Sequence, residues 1–132
     1  MDEVEHISVH IARAPSDVYG FASDPRNLPL WARGLARGEV RRAGDGWVVE
    51  APFGKVRIRF ARRNALGVMD HDVRLESGAT VHNPMRVVPN NEGSELIFSL
   101  FRRPGMSNKQ FAKDKAAVAK DLRKLKALLE GR

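Results

Sequence analysis

The stretch Ser107-Asn108-Lys109-Gln110-Phe111-Ala112-Lys113-Asp114-Lys115-Ala116-Ala117-Val118-Ala119-Lys120-Asp121-Leu122-Arg123-Lys124-Leu125-Lys126-Ala127-Leu128-Leu129 decides the fold. Phe111, Val118, Leu122, Leu125 and Leu129 recur at helical spacing and share one face. Ser107 followed by Gln110 is a capping box, in which the serine caps while the glutamine reaches back to it. The pattern predicts a helix from Ser107 to about Leu129, with Gly131 beyond its end. A helix of this length cannot bury its apolar stripe alone, so another layer must receive it.

The residues before it supply that layer. Turn signals recur at 43–46, 52–54, 64–67, 77–78 and 90–93, where Gly and Asn allow the positive φ of tight hairpins. The segments between them have strand length, and side chains alternate along each. Ile7, Val9 and Ile11 share one face of the first strand. Val56, Ile58 and Phe60 alternate with Lys55, Arg57 and Arg59 in 55–62. Met69, His71, Val73 and Leu75 share a face in 68–76, as do Val81, Asn83, Met85 and Val87 in 79–88. Leu96, Phe98 and Leu100 form the inner row of 94–102. Two short helices come after the first strand. Pro15 opens one, Asp24-Pro25 stops it, and a second covers 27–33 with Leu28 and Trp31 turned inward. The expectation is an α+β domain spanning 1–132. A curved antiparallel sheet of six to seven strands wraps around the long C-terminal helix, and core or cavity fills the space between.

Composition narrows the function classes. The chain has no cysteine, so thiol nucleophiles, thiolate metal sites and disulfides are excluded. No apolar run approaches the roughly 20 residues that cross a bilayer. The acidic start Met1-Asp2-Glu3-Val4-Glu5 does not read as a signal peptide, so a cytoplasmic location is expected. The formal charge of +7 is uneven: 107–132 holds eight basic and three acidic residues. No aromatic residues interleave with these lysines as a single-strand platform requires, so nucleic acid is not an expected partner and a solvated helix face is the simpler reading. No P-loop, dinucleotide fingerprint, GxSxG or HExxH occurs, and neither a cofactor nor a metal is expected.

The opening Ile7-Ser8-Val9-His10-Ile11-Ala12-Arg13-Ala14-Pro15-Ser16-Asp17-Val18-Tyr19-Gly20-Phe21 resembles the start of START-like (SRPBCC) proteins, in particular the polyketide cyclase/dehydrase-like branch. Asp24-Pro25 and Trp31 match the Asp-Pro and the tryptophan of that branch. Gly67-Val68-Met69-Asp70-His71, Pro84-Met85-Arg86-Val87-Val88, Gly93-Ser94-Glu95 and Asp121-Leu122 extend the likeness over nearly the whole chain. The resemblance implies a helix-grip fold with a hydrophobic cavity between sheet and long helix. Members bind lipids, sterols or quinones, or cyclise polyketides, and no universal catalytic residue carries over.

The leading expectation is therefore a binding protein for a hydrophobic small molecule. Phe60, Met69, Val73, Val81, Met85 and Phe98 would contribute from the sheet. Phe111, Val118 and Leu122 would contribute from the helix, with Trp31 at the cavity mouth and His71 and Asn83 fixing orientation. The alternative is a cyclase- or dehydratase-type enzyme with His71 as acid or base, since a histidine titrates near neutral pH. A neutral core histidine bonded to a carbonyl is the plainer account of the same residue. A third expectation is a basic interaction module, and a homodimer is an assembly the sequence allows. Asp70 and Asp72 are expected in cross-strand ion pairs with Arg57, Arg59 or Arg86, and His82 is expected to face outward with His6 and His10. Asp114 and Asp121 stand beside the helix stripe, at the rim of any cavity or paired with basic neighbours.

Overall fold

The structure is a computed structural model that describes residues 1–131. Arg132, counted in the basic segment above, lies outside the described residues. The chain runs β1 (Val4–Ile11), α1 (Pro15–Ala22), a 3-10 turn (Pro25–Asn27), α2 (Leu28–Trp31), β2 (Arg41–Ala43), β3 (Gly46–Ala51), β4 (Gly54–Phe60), β5 (His71–Arg74), β6 (Thr80–Asn83), β7 (Met85–Asn90), β8 (Gly93–Phe101) and α3 (Asn108–Leu129). The expected second helix over 27–33 is a 3-10 turn followed by one α turn, and 32–40 is irregular. Pro29 sits in the first turn of α2, where proline is tolerated, and the helix ends where Ala32 leaves helical geometry at φ −95° and ψ 55°.

Two antiparallel ladders form, in the orders β2-β3-β4-β5-β6 and β1-β8-β7. They are joined. Val87 N–H donates to the Gly67 carbonyl at 3.0 Å and Met69 N–H to the Met85 carbonyl at 2.8 Å, while Val68 bridges Arg86. The register is the same on both sides of Pro84, since His71 faces Asn83 in one half and Val68 faces Arg86 in the other. The strand expected over 79–88 is thus β6 and β7 in series, broken where proline lacks an N–H. The whole is one bent antiparallel sheet wrapped around α3, the helix-grip arrangement.

Ser107 caps α3, its Oγ accepting Gln110 N–H at 3.0 Å. The Gln110 side chain does not return to the serine; it donates to Asp114 Oδ1 at 2.7 Å, so only half of the capping box forms. Phe111, Leu122, Leu125 and Leu129 are buried on the sheet side, while Val118 is half-buried. The helix lies mainly over β1, with further contacts to α2 and β8. Along its N-terminal half it leaves part of the inner face of β4–β6 uncovered.

Candidate functional site

That uncovered ground is a cavity of about 580 Å³. The sheet contributes Val56, Val73, Val81 and Phe98, and α3 contributes Ala117, Val118 and Leu122. Leu28, Trp31 and Ala32 close it from α2. It opens at the N-terminal end of α3, where Phe53 and Phe101 on the rim are 60% and 40% exposed.

Eight of the residues expected to contact a ligand line this space: Trp31, His71, Val73, Val81, Asn83, Phe98, Val118 and Leu122. Four do not. Met69, Met85 and Phe111 are buried in the packed core, and Phe60 is half-buried behind His71. Alternation placed Phe60, Met69 and Met85, and helical spacing Phe111, on the inward side, but that side extends beyond the stretch that α3 leaves open. The cavity also takes residues with no signal in the strand pattern. Gly34 and Leu35 come from the irregular segment after α2, Phe53 and Ser77 from hairpin turns, and Arg103 and Met106 from the approach to α3.

His71 is set by a local exchange of hydrogen bonds. Its Nδ1 lies 3.1 Å from the Met69 carbonyl. A carbonyl only accepts, so Nδ1 carries the proton and Nε2 is left as an acceptor, facing Asn83 Nδ2 at 3.5 Å. The ring stacks on Phe60 at 4.9 Å between centroids and is tilted against Phe98 at 6.1 Å. Burial holds its pKa below the ordinary histidine value, outweighing the Met69 carbonyl and the Asp70 charge. The ring is thus neutral, with its unprotonated Nε2 beside Asn83.

Asp121 is the second titratable group of the wall. Its Oδ2 accepts Gly34 N–H at 3.1 Å, and no arginine or lysine forms an ion pair with it among the described residues. Burial pushes the carboxyl up to about 6, against the Gly34 hydrogen bond and the more distant Lys120 and Arg37. Asp114 also lines the cavity, engaged by Gln110. Trp31 Nε1 is buried with no hydrogen-bond partner among the described residues. Having almost no accessible surface, that nitrogen serves the wall as packing.

The outer sheet face carries the remaining candidates. Asp70 pairs with Arg86 at 3.1 Å, as expected, whereas Asp72 pairs with His82 at 2.6 Å and not with an arginine. Arg57 and Arg59 turn instead to Asp45 in the β2–β3 turn, at 3.8 and 3.5 Å. His6, His10 and His82 are exposed and bond to Ser99, Glu95 and Asp72 respectively. No group of three metal-ligating side chains occurs among the described residues.

A bent antiparallel sheet gripping one long helix over a half-open apolar cavity defines the START-like class. The chain belongs to the family described as polyketide cyclase/dehydrase and lipid transport, whose model matches residues 3–130. Among solved structures it is similar to DynU16, a protein from the dynemicin biosynthetic locus. There the TM-score is 0.74 at 18% identity, covering 98% of this chain and 48% of that one. This chain thus spans about half the length of DynU16. CalU16 from Micromonospora echinospora matches with a TM-score of 0.70 at 12% identity, over 98% of this chain and 76% of that one. The Aha1 dimer from Colwellia psychrerythraea matches with a TM-score of 0.76 at 13% identity, over 97% and 96%. At these identities the likeness is one of fold. No curated protein matches the chain by sequence. No helix among the described residues is long and apolar enough to cross a membrane.

Proposed function

We propose that the protein binds a hydrophobic small molecule of lipid, quinone or polyketide-like character in the cavity between the sheet and α3. The supporting observation is the cavity itself: about 580 Å³ of mainly apolar walls, entered at one end, with His71 and Asn83 as polar points. That volume falls within the roughly 300–1,000 Å³ of small-molecule sites. A ligand that buries on the order of 250 Å² of apolar surface gains ~6 kcal/mol, from which association costs are subtracted. Menadione, emodin and oleic acid form a suitable panel for thermal-shift and calorimetric titration. At least one is expected to raise the melting temperature, and Val81→Trp is expected to weaken that binding at least tenfold by filling the cavity. No shift with any of the three overturns the reading.

A second reading comes from two groups on separate walls. His71 Nε2 on β5 is a proton acceptor that burial keeps neutral, and Asp121 on α3 retains a proton up to about pH 6. A base and an acid facing one apolar ligand suit enolisation, cyclisation or dehydration of a carbonyl compound. Deuterium uptake at the α-carbon of bound 2-tetralone tests it. His71→Gln and Asp121→Asn should each slow uptake by about tenfold or more while leaving binding intact. Uptake no faster than in buffer removes the enzyme reading and leaves the binding one standing.

A further inference from the structure

The rim of the cavity differs from its walls. Phe53, at the β3–β4 turn, and Phe101, at the end of β8, are 60% and 40% exposed, and both border the opening. Lys55 and Arg103 border it as well, both exposed. Neither forms an ion pair among the described residues. The rim carboxylates are engaged by neutral donors: Glu76 Oε1 accepts Lys55 N–H at 3.0 Å, and Asp114 accepts from Gln110. The adjoining first turns of α3 add Lys109 and Lys113, exposed and likewise without an ion pair among the described residues. Two exposed aromatic rings and two unpaired cations on the cavity rim, with two more cations in the adjoining turns of α3, are not what an inert rim requires.

We propose that this open end docks on an anionic membrane surface. Phe53 and Phe101 enter the headgroup layer while Lys55, Arg103, Lys109 and Lys113 lie against lipid phosphates. Aromatic side chains settle at that depth, and basic residues near an anionic leaflet each add attraction that salt screens. The net charge of +7 favours the approach, and the local pairing pattern sets the orientation. The inference rests on the cavity being a ligand site, because docking there lets an apolar molecule pass from bilayer to cavity without crossing water. RNA would use the same cations but would leave Phe53 and Phe101 without a partner, so a membrane accounts for more of the rim.

Cosedimentation with vesicles of phosphatidylcholine alone, or with a quarter phosphatidylglycerol, tests the inference at 50 and 500 mM NaCl. The protein is expected to bind the anionic vesicles at low salt, to release at high salt, and to ignore the neutral ones. Lys55→Glu with Arg103→Glu is expected to weaken binding at least tenfold, and Phe53→Ser with Phe101→Ser by a comparable factor. Arg123→Glu with Lys124→Glu, at the far end of α3, should change it less than twofold. All these side chains are exposed, and circular dichroism verifies folding. Equal loss from the far-end pair would show attraction by net charge alone and overturn the proposal, as would binding to an RNA oligonucleotide without binding to vesicles. The thermal shift with menadione, emodin or oleic acid is read separately. A vesicle failure with that shift intact removes the docking surface only, whereas no shift removes the cavity reading.

Discussion

Met69 and Met85 face each other across the join between the two ladders but make only one of the two hydrogen bonds that an unbroken sheet would give them. Met69 N–H reaches the Met85 carbonyl at 2.8 Å. The Met69 carbonyl instead takes the His71 Nδ1–H, and Met85 N–H goes to Asp70 Oδ1 at 2.9 Å. The missing rung therefore holds the His71 ring in place and fixes its tautomer.

Asp70→Ala removes the acceptor of Met85 N–H and the partner of Arg86 together. Burial by itself would raise the Asp70 carboxyl, but the Arg86 and Met85 hydrogen bonds outweigh it and hold the pKa below the ordinary value. The expected loss is about 2 kcal/mol in urea unfolding at pH 7. A depressed carboxyl stabilises above its unfolded pKa, so this difference should shrink as the pH falls below about 4. A loss that stays constant down to pH 2.5 contradicts this account.

Asp121→Asn has the opposite sign. With a folded pKa of about 6 against 3.8 unfolded, the native state holds its proton longer than the unfolded chain. Stability therefore falls as pH rises through this window, and ionised Asp121 destabilises the protein above it. The group is half-buried, so solvent screening cuts the expected gain of the asparagine variant to about 1 kcal/mol at pH 7.5. The gain should vanish near pH 3.5. Urea midpoints at the two pH values are the measurement.

His71→Leu should flatten the acid side of the stability profile. The folded pKa is lowered by burial, so below about pH 6.5 the unfolded chain binds a proton that the native ring refuses. Wild-type stability then declines with falling pH. The leucine variant leaves the Met69 carbonyl unpaired, at a cost of about 1 kcal/mol near pH 8, but lacks this decline. The two stability curves should converge on acidification, and parallel curves would show that His71 does not titrate as described.

Gly67→Ala tests the join itself. Gly67 has φ of +73°, its carbonyl accepts Val87 N–H at 3.0 Å, and an added methyl would run into the Val87 carbonyl. The expected loss is about 2–3 kcal/mol by chemical denaturation. Gly78→Ala also sits at positive φ but meets nothing within 4 Å, so it serves as the milder control.

Much of the fold was legible in the sequence because it is written in local periodicities. The stripe from Phe111 to Leu129, the Ser107 cap and the alternation of β1, β4 and β8 each report one element's own buried side. The break at Pro84 had a visible cause, yet its consequence depends on which strand lies opposite. Neither the half-formed capping box nor the pairing of Asp72 with His82 could be read from chain order, because each depends on which competing donor comes within reach.

The sequence by itself determined that a bent antiparallel sheet would receive an amphipathic terminal helix, and that His71 and Asn83 would face inward. Period and burial are properties of neighbours along the chain. Only the tertiary structure decided that α3 rests over β1 and leaves part of the inner face of β4–β6 open. It also decided that Gly34 and Asp121, distant in the chain, meet at the wall, and that Phe53, Phe101, Lys55 and Arg103 share one rim. Those relations come from helix placement and from irregular segments, where no repeating pattern encodes which residues will meet.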